Sequence, residues 1–119
     1  MTQPPLHGRY ILIAEDEFLL ADDLAQLLKS EGAVVVGPVA SVAAALSLIE
    51  GQTRIDLALL DVNLGGDMAF PVGDALIERD IPFAFTTGYD AVPARFAAIP
   101  RLEKPFCVGL VSEFLKRLL

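Results

Sequence analysis

The chain has 119 residues, 54% of them hydrophobic, with 16 acidic against 9 basic side chains and a formal net charge of −7. That length suits one folding unit with a single core, and so large an apolar share excludes a disordered acidic segment. The negative charge argues against nucleic acid or an anionic membrane as the main partner, and no apolar run approaches the ~18 residues that cross a bilayer.

The first eight residues contain two prolines and read as a mobile lead-in, with the domain expected over residues 9–119. His7 falls in that lead-in and is expected to be neither catalytic nor a ligand. "RYILIAE" (9–15) is a run of strand formers, followed by Leu20, Leu24, Leu27 and Leu28 at helical spacing and stopped by Gly32. "AVVVG" (33–37) is the second strand, and Ser41 is placed to cap a helix over "VAAALSLIE". "IDLALLD" (55–61) is the third strand, "NLGGD" a turn-rich loop, residues 70–79 a short helix, and "IPFAFTT" (81–87) the fourth strand. Phe83, Phe85 and Phe106 read as core.

From Gly88 to Glu103, Pro93 and Pro100 leave room for about two turns of helix and a brief fifth strand near 101–103. In the last segment Cys107, Leu110, Val111, Phe114, Leu115 and Leu118 are expected on one helical face, with Ser112, Glu113, Lys116 and Arg117 on the other. A lone cysteine cannot form an internal disulfide, and no charged-then-apolar leader opens the chain; a reduced, cytoplasmic setting is the expectation.

Apolar strands alternating with helices predict an α/β fold, a doubly wound five-stranded parallel sheet. Ligands in such sheets sit beyond the carboxyl ends of the strands, where the strand order reverses. The predicted strand tips carry Glu15 and Asp16, Asp61, Thr87 and Lys104; only the second strand contributes no polar chemistry. Order 2-1-3-4-5 explains this, because the second strand then lies outside the first. Asp16 and Asp61 with Glu15 nearby form an all-oxygen donor set without His or Cys, suited to Mg²⁺ or Mn²⁺. Lys104 and Thr87 stand opposite, where they would stabilise the oxygens of a transferring phosphoryl group.

"EDE" after the first strand, "DVNL" after the third, "TTGY" after the fourth and "EKPF" before the last helix resemble the receiver domain of two-component response regulators, a flavodoxin-like fold, over nearly the whole chain. The resemblance implies that Asp61 is the phosphoacceptor, taking a phosphoryl group from the phosphohistidine of a histidine kinase or histidine phosphotransfer protein. It implies Mg²⁺ bound by Asp16, Asp61 and the backbone carbonyl of Asn63, with Glu15 acting through water, and Thr87 and Lys104 touching the phosphoryl oxygens. Glu17 is assigned to the helix N-terminus, whose dipole it favours. Removing Asp16 is expected to relieve carboxylate repulsion and raise metal-free stability.

The spacing departs from the family's usual pattern: Thr87 follows Asp61 by 26 positions and Lys104 follows Thr87 by 17, both short, which places the loss in the region of the third and fourth helices and fifth strand. Arg101 stands where receivers usually carry a switching aromatic, and "FAFTTGYD" is similar to the FATGUY variants, with Thr86 in place of their usual Ala. The standard inward swing of an aromatic therefore does not transfer; Tyr89 and Arg101 are the switch candidates, with residues 88–99 as the responding segment. Read as a stand-alone domain, the protein would act on a downstream partner or relay the phosphoryl group, and would be a self-phosphorylating switch rather than an enzyme with turnover; homodimerisation is left open. The competing readings are a receiver-shaped interaction module that needs no phosphorylation, and a metal-dependent phosphohydrolase.

Overall fold

The computed structural model describes residues 5–51, 53–88 and 90–119. Strands β1 (Tyr10–Ala14), β2 (Val34–Val39), β3 (Leu57–Asp61), β6 (Phe83–Thr87) and β7 (Arg101–Glu103) form a parallel sheet in the order β2-β1-β3-β6-β7. Counted over the sheet strands alone, this is the predicted 2-1-3-4-5. Between β3 and β6 lies a small antiparallel hairpin of β4 (Asn63–Leu64) and β5 (Asp67–Met68). The helices are α1 (Phe18–Ser30), α2 (Val42–Glu50), α3 (Phe70–Glu78) and α4 (Val111–Lys116).

Every residue of β3 and β6 is buried, because helices cover both faces of the sheet. The period of two along each strand divides the core. Leu12, Ala14, Ala58, Leu60, Phe83 and Phe85 point to the layer of α2 and α3, where they meet Ala45, Ile49, Val72, Leu76 and Phe96. Ile11, Ile13, Leu57, Leu59 and Ala84 face Leu24, Leu28, Val111 and Leu115 of α1 and α4. Burial of each such aliphatic side chain is worth about 1.5–3 kcal/mol, so this two-sided core supplies most of the driving force. Ser41 caps α2 as predicted, its Oγ accepting the Ala44 N–H at 3.1 Å.

Several expectations need adjustment. Residues 5–8 of the lead-in form a turn in which Leu6 is fully buried against the α1 and α4 layer, and the Gly8 N–H donates to the Gly32 carbonyl at 2.8 Å. β2 continues through Gly37 and Pro38 to Val39, with a register shift against β1 between Leu12 and Ala14; an edge strand tolerates the proline because its missing N–H faces no further strand. The turn "NLGGD" closes the β4–β5 hairpin, where Gly65 and Gly66 at φ 61° and 95° take the left-handed conformations that a tight hairpin turn requires.

Between Gly88 and β7 the chain carries no α-helix among its described residues, only a 3₁₀ turn over Ala94–Phe96. Phe96 is nevertheless fully buried, stacked on Phe70 at 5.6 Å between centroids and edge-on to Phe85 at 5.5 Å. It enters the core beside Gly73 of α3, where an added Cβ would lie 2.9 Å from the Phe96 ring. The C-terminal helix is also shorter than predicted. Cys107 is exposed, Phe106 is only partly buried, Leu110 is 62% exposed and Ser112 is buried. A 3₁₀ turn over Val108–Leu110 precedes α4, and its tighter winding takes the earlier positions out of register with the face that Val111 and Leu115 present to the core.

Candidate functional site

β1 and β3 are hydrogen-bonded neighbours, so their carboxyl ends bring Glu15, Asp16 and Asp61 together; one oxygen from each lies within 4.8 Å of the others. Glu15 and Asp61 are 3% and 5% exposed, whereas Asp16 is open to solvent. Backbone donors hold the three carboxylates. Asp61 Oδ1 accepts the Asn63 N–H at 3.1 Å, Asp16 Oδ2 accepts the Gly65 N–H from the hairpin turn at 3.0 Å, and Glu15 Oε2 accepts the Glu17 N–H at 3.0 Å.

Lys104 enters from the end of β7, whose pairing to β6 includes a Lys104 N–H bond to the Thr87 carbonyl at 2.7 Å. Its Nζ lies 2.8 Å from Glu15, 2.9 Å from Asp61 and 3.0 Å from Glu17. The Glu15 contact is at ion-pair distance but off the hydrogen-bonding direction, leaving Oε1 without a hydrogen bond. The Lys104–Pro105 bond is cis. Burial by itself would depress the ammonium, but the carboxylates of Glu15, Asp61 and Glu17 hold Lys104 protonated well above the ordinary lysine range.

Four carboxylates around one ammonium leave an excess of negative charge. The strain concentrates on Glu15, where burial first and the neighbouring Asp61 charge second outweigh Lys104 and the Glu17 N–H, pushing the carboxyl up from 4.5 to about 7. Asp16 responds oppositely. Burial would raise it, but the Gly65 N–H and contacts within the cluster hold it below the usual carboxylate range. The predicted relief of repulsion on removing Asp16 therefore belongs to Glu15. A group whose folded pKa is raised stabilises fully below its unfolded value and loses that contribution as pH rises through the folded value. Metal-free protein is accordingly expected to lose melting temperature from pH 5 to pH 8, and Glu15→Gln to flatten that slope, gaining on the parent as pH rises. Parallel slopes in chelator would show that Glu15 is not the strained group.

Thr87, at the tip of β6, is 4% exposed and its Oγ1 makes no hydrogen bond among the described residues. A buried hydroxyl without a partner is costly and is a place where an incoming acceptor would be bound. Arg101 is exposed on the edge strand β7, paired in register with Phe85, and Tyr89 lies outside the described residues. The Glu17 contact was not predicted from sequence; the acidic triplet placed Glu17 nearby, but only the fold carries Lys104 across 87 positions to meet it.

Beside Lys104 lies an open groove of about 740 Å³ lined by Glu17, Phe18, Leu19, Gly88, Pro105 and Phe106 among others. Phe18 and Leu19 are 81% and 77% exposed, an unusual position for large apolar side chains next to a charged site.

A family model described as the response regulator receiver domain matches residues 11–102. The chain is 31% identical over 113 residues to the sensory transduction protein LytT of Bacillus subtilis, covering 90% of this chain and 46% of LytT. It is 34% identical over 101 residues to the phyllosphere-induced regulator PhyR of Methylorubrum extorquens, covering 83% of this chain and 37% of PhyR. The chain thus spans less than half the length of either relative. Among solved structures, SdrG from Sphingomonas melonis is 43% identical, with all of both chains covered and a TM-score of 0.77.

Proposed function

Because the chain belongs to the response regulator receiver domain family of two-component signalling, we propose that Asp61 accepts a phosphoryl group from the phosphohistidine of a histidine kinase or histidine phosphotransfer protein. The observation that supports this best is the convergence of Glu15, Asp16, Asp61 and Lys104 at adjoining strand tips, with Asp61 buried and fixed at both oxygens. In the transfer, an Asp61 oxygen forms the new P–O bond as the P–N bond breaks, and the electron pair of the broken bond stays on the imidazole nitrogen. Little covalent chemistry is asked of the protein; positioning and charge neutralisation dominate.

The residues fit the metal that the family implies. Three carboxylate oxygens gather without a nitrogen or sulfur ligand, and burial, with the Asp61 charge beside it, raises the Glu15 carboxyl. Asp16, Asp61 and the Asn63 carbonyl would hold Mg²⁺ or Mn²⁺, with Glu15 reaching it through water. When bound, the cation would neutralise charge on the phosphoryl oxygens. The Asn63 N–H and the Lys104 ammonium fix the rotation of the Asp61 carboxylate, and Lys104 and Thr87 contact the phosphoryl oxygens. Asp16→Ala is expected to weaken Mg²⁺ affinity by at least about tenfold, since losing even an outer-shell partner has that effect. It is not expected to gain stability in chelator, because the Gly65 N–H loses its acceptor. Calorimetric titration with Mg²⁺ and melting in chelator check both.

The domain is a signalling module rather than a classical enzyme, and it exerts its effect through partner proteins. The exposed Phe18 and Leu19 beside the phosphoacceptor suit a protein surface that delivers or reads the phosphoryl group. Among the described residues no helix is long and apolar enough to cross a membrane; a cytoplasmic setting remains part of the proposal. Mg²⁺-dependent, stoichiometric labelling by acetyl phosphate tests the reading. A fully folded protein that takes no label with Mg²⁺ would return the phosphorylation-independent module.

A further inference from the structure

Resting on that phosphoacceptor reading, we infer that Glu17 is a positioning residue, a latch that holds Lys104 in the resting state and releases it when a phosphoryl group arrives on Asp61. An ammonium has three N–H donors, and three carboxylates lie within 3.0 Å of Lys104 Nζ. Asp61 and Glu17 accept hydrogen bonds from two of those donors while the Glu15 oxygen crowds the ammonium at 2.8 Å, so a phosphoryl oxygen arriving on Asp61 draws Lys104 away from one of these partners. The three are not equivalent. The Glu15 side chain is 2% exposed and, abandoned, would be a buried carboxylate without its counter-ion; Asp61, 7% exposed, bears the incoming phosphoryl group itself, so its contact with Lys104 moves with that group. The Glu17 side chain is 63% exposed and returns to water on release.

Chain geometry supports the same assignment. Glu17 is the N-cap residue of α1, yet its side chain makes no capping hydrogen bond; the carboxylate is turned to Lys104 instead. The ammonium thus exchanges its solvent-side partner while keeping the buried Glu15. The exchange opposes phosphoryl binding by the strength of one exposed ion pair.

Beryllofluoride with Mg²⁺, a phosphoryl mimic, titrated by NMR measures this opposition. Glu17→Gln is expected to tighten mimic binding about two- to fivefold, the scale of one exposed ion pair. Removing a negative charge near an anion site would also tighten binding through the general field, so Glu17→Asp separates the two causes. It keeps the charge but shortens the reach, and the latch predicts that it shares most of the gain. In metal-free protein, with no phosphoryl chemistry involved, the Lys104 ammonium resonance must shift in both variants. Unchanged mimic affinity in Glu17→Gln, a gain absent from Glu17→Asp, or an unmoved ammonium resonance would each overturn the latch and leave the phosphoacceptor reading standing. A parent protein that binds no mimic at all would overturn the phosphoacceptor reading first and the latch with it.

Discussion

Asp61→Asn is expected to take no label from acetyl phosphate and Mg²⁺ while folding as the parent does. The nucleophile is lost because an amide oxygen carries no full negative charge and cannot form a stable phosphoryl bond. The fold is kept because Asn occupies the same space at the end of β3, its oxygen can still accept the Asn63 N–H, and Lys104 retains Glu15 and Glu17. Deleting one of two buried like charges also eases Glu15, whose raised pKa owes its second upward push to Asp61. The melting temperature in chelator is therefore expected to stay within a few degrees of the parent. Labelling that survives at full stoichiometry in Asp61→Asn would move the acceptor elsewhere; mapping of the labelled peptide would show where.

Phe96→Ala is expected to be the most destabilising substitution in the segment between β6 and β7, at about 3–5 kcal/mol. For a domain of this size that corresponds to a fall in melting temperature on the order of 10–20 °C. Among its described residues this connection has only one 3₁₀ turn, so it cannot hold itself to the sheet by helical packing. Phe96 does so by filling the space between Phe70, Phe85 and Gly73, and its removal would leave a cavity lined by those rings. The neighbouring Arg95 makes a paired contact with Asp74, at 3.0 Å for each bond, but both partners are about half exposed and the pair is expected to matter little. Comparable melting temperatures for Phe96→Ala and Arg95→Ala would show that the segment is not anchored through its aromatic residue. Because the segment follows directly on Thr87, loosening it is also expected to raise backbone exchange over residues 90–99.

The parallel sheet, its strand order and the strand tips whose carboxylates meet were determined by the sequence itself. Continuous apolar runs such as "LALLD" are buried on both faces, and that demand alone calls for helices on either side and right-handed crossovers. Carboxylates that end such runs have one place to go, and Asp61, Glu15 and Asp16 are found there. Local pattern failed where the chain leaves regular periodicity. Phe96 sits among prolines and alanines that carry no helical spacing, and its burial depends on a glycine 23 positions earlier. Cys107 and Leu110 fit a helical face by spacing, but a 3₁₀ turn changed the register. Only the tertiary structure decided that Glu15 rather than Asp16 bears the electrostatic strain, and that Glu17 holds Lys104. Those outcomes depend on burial and on which backbone N–H comes within reach from a distant turn, and neither is encoded in the spacing of the charged residues themselves.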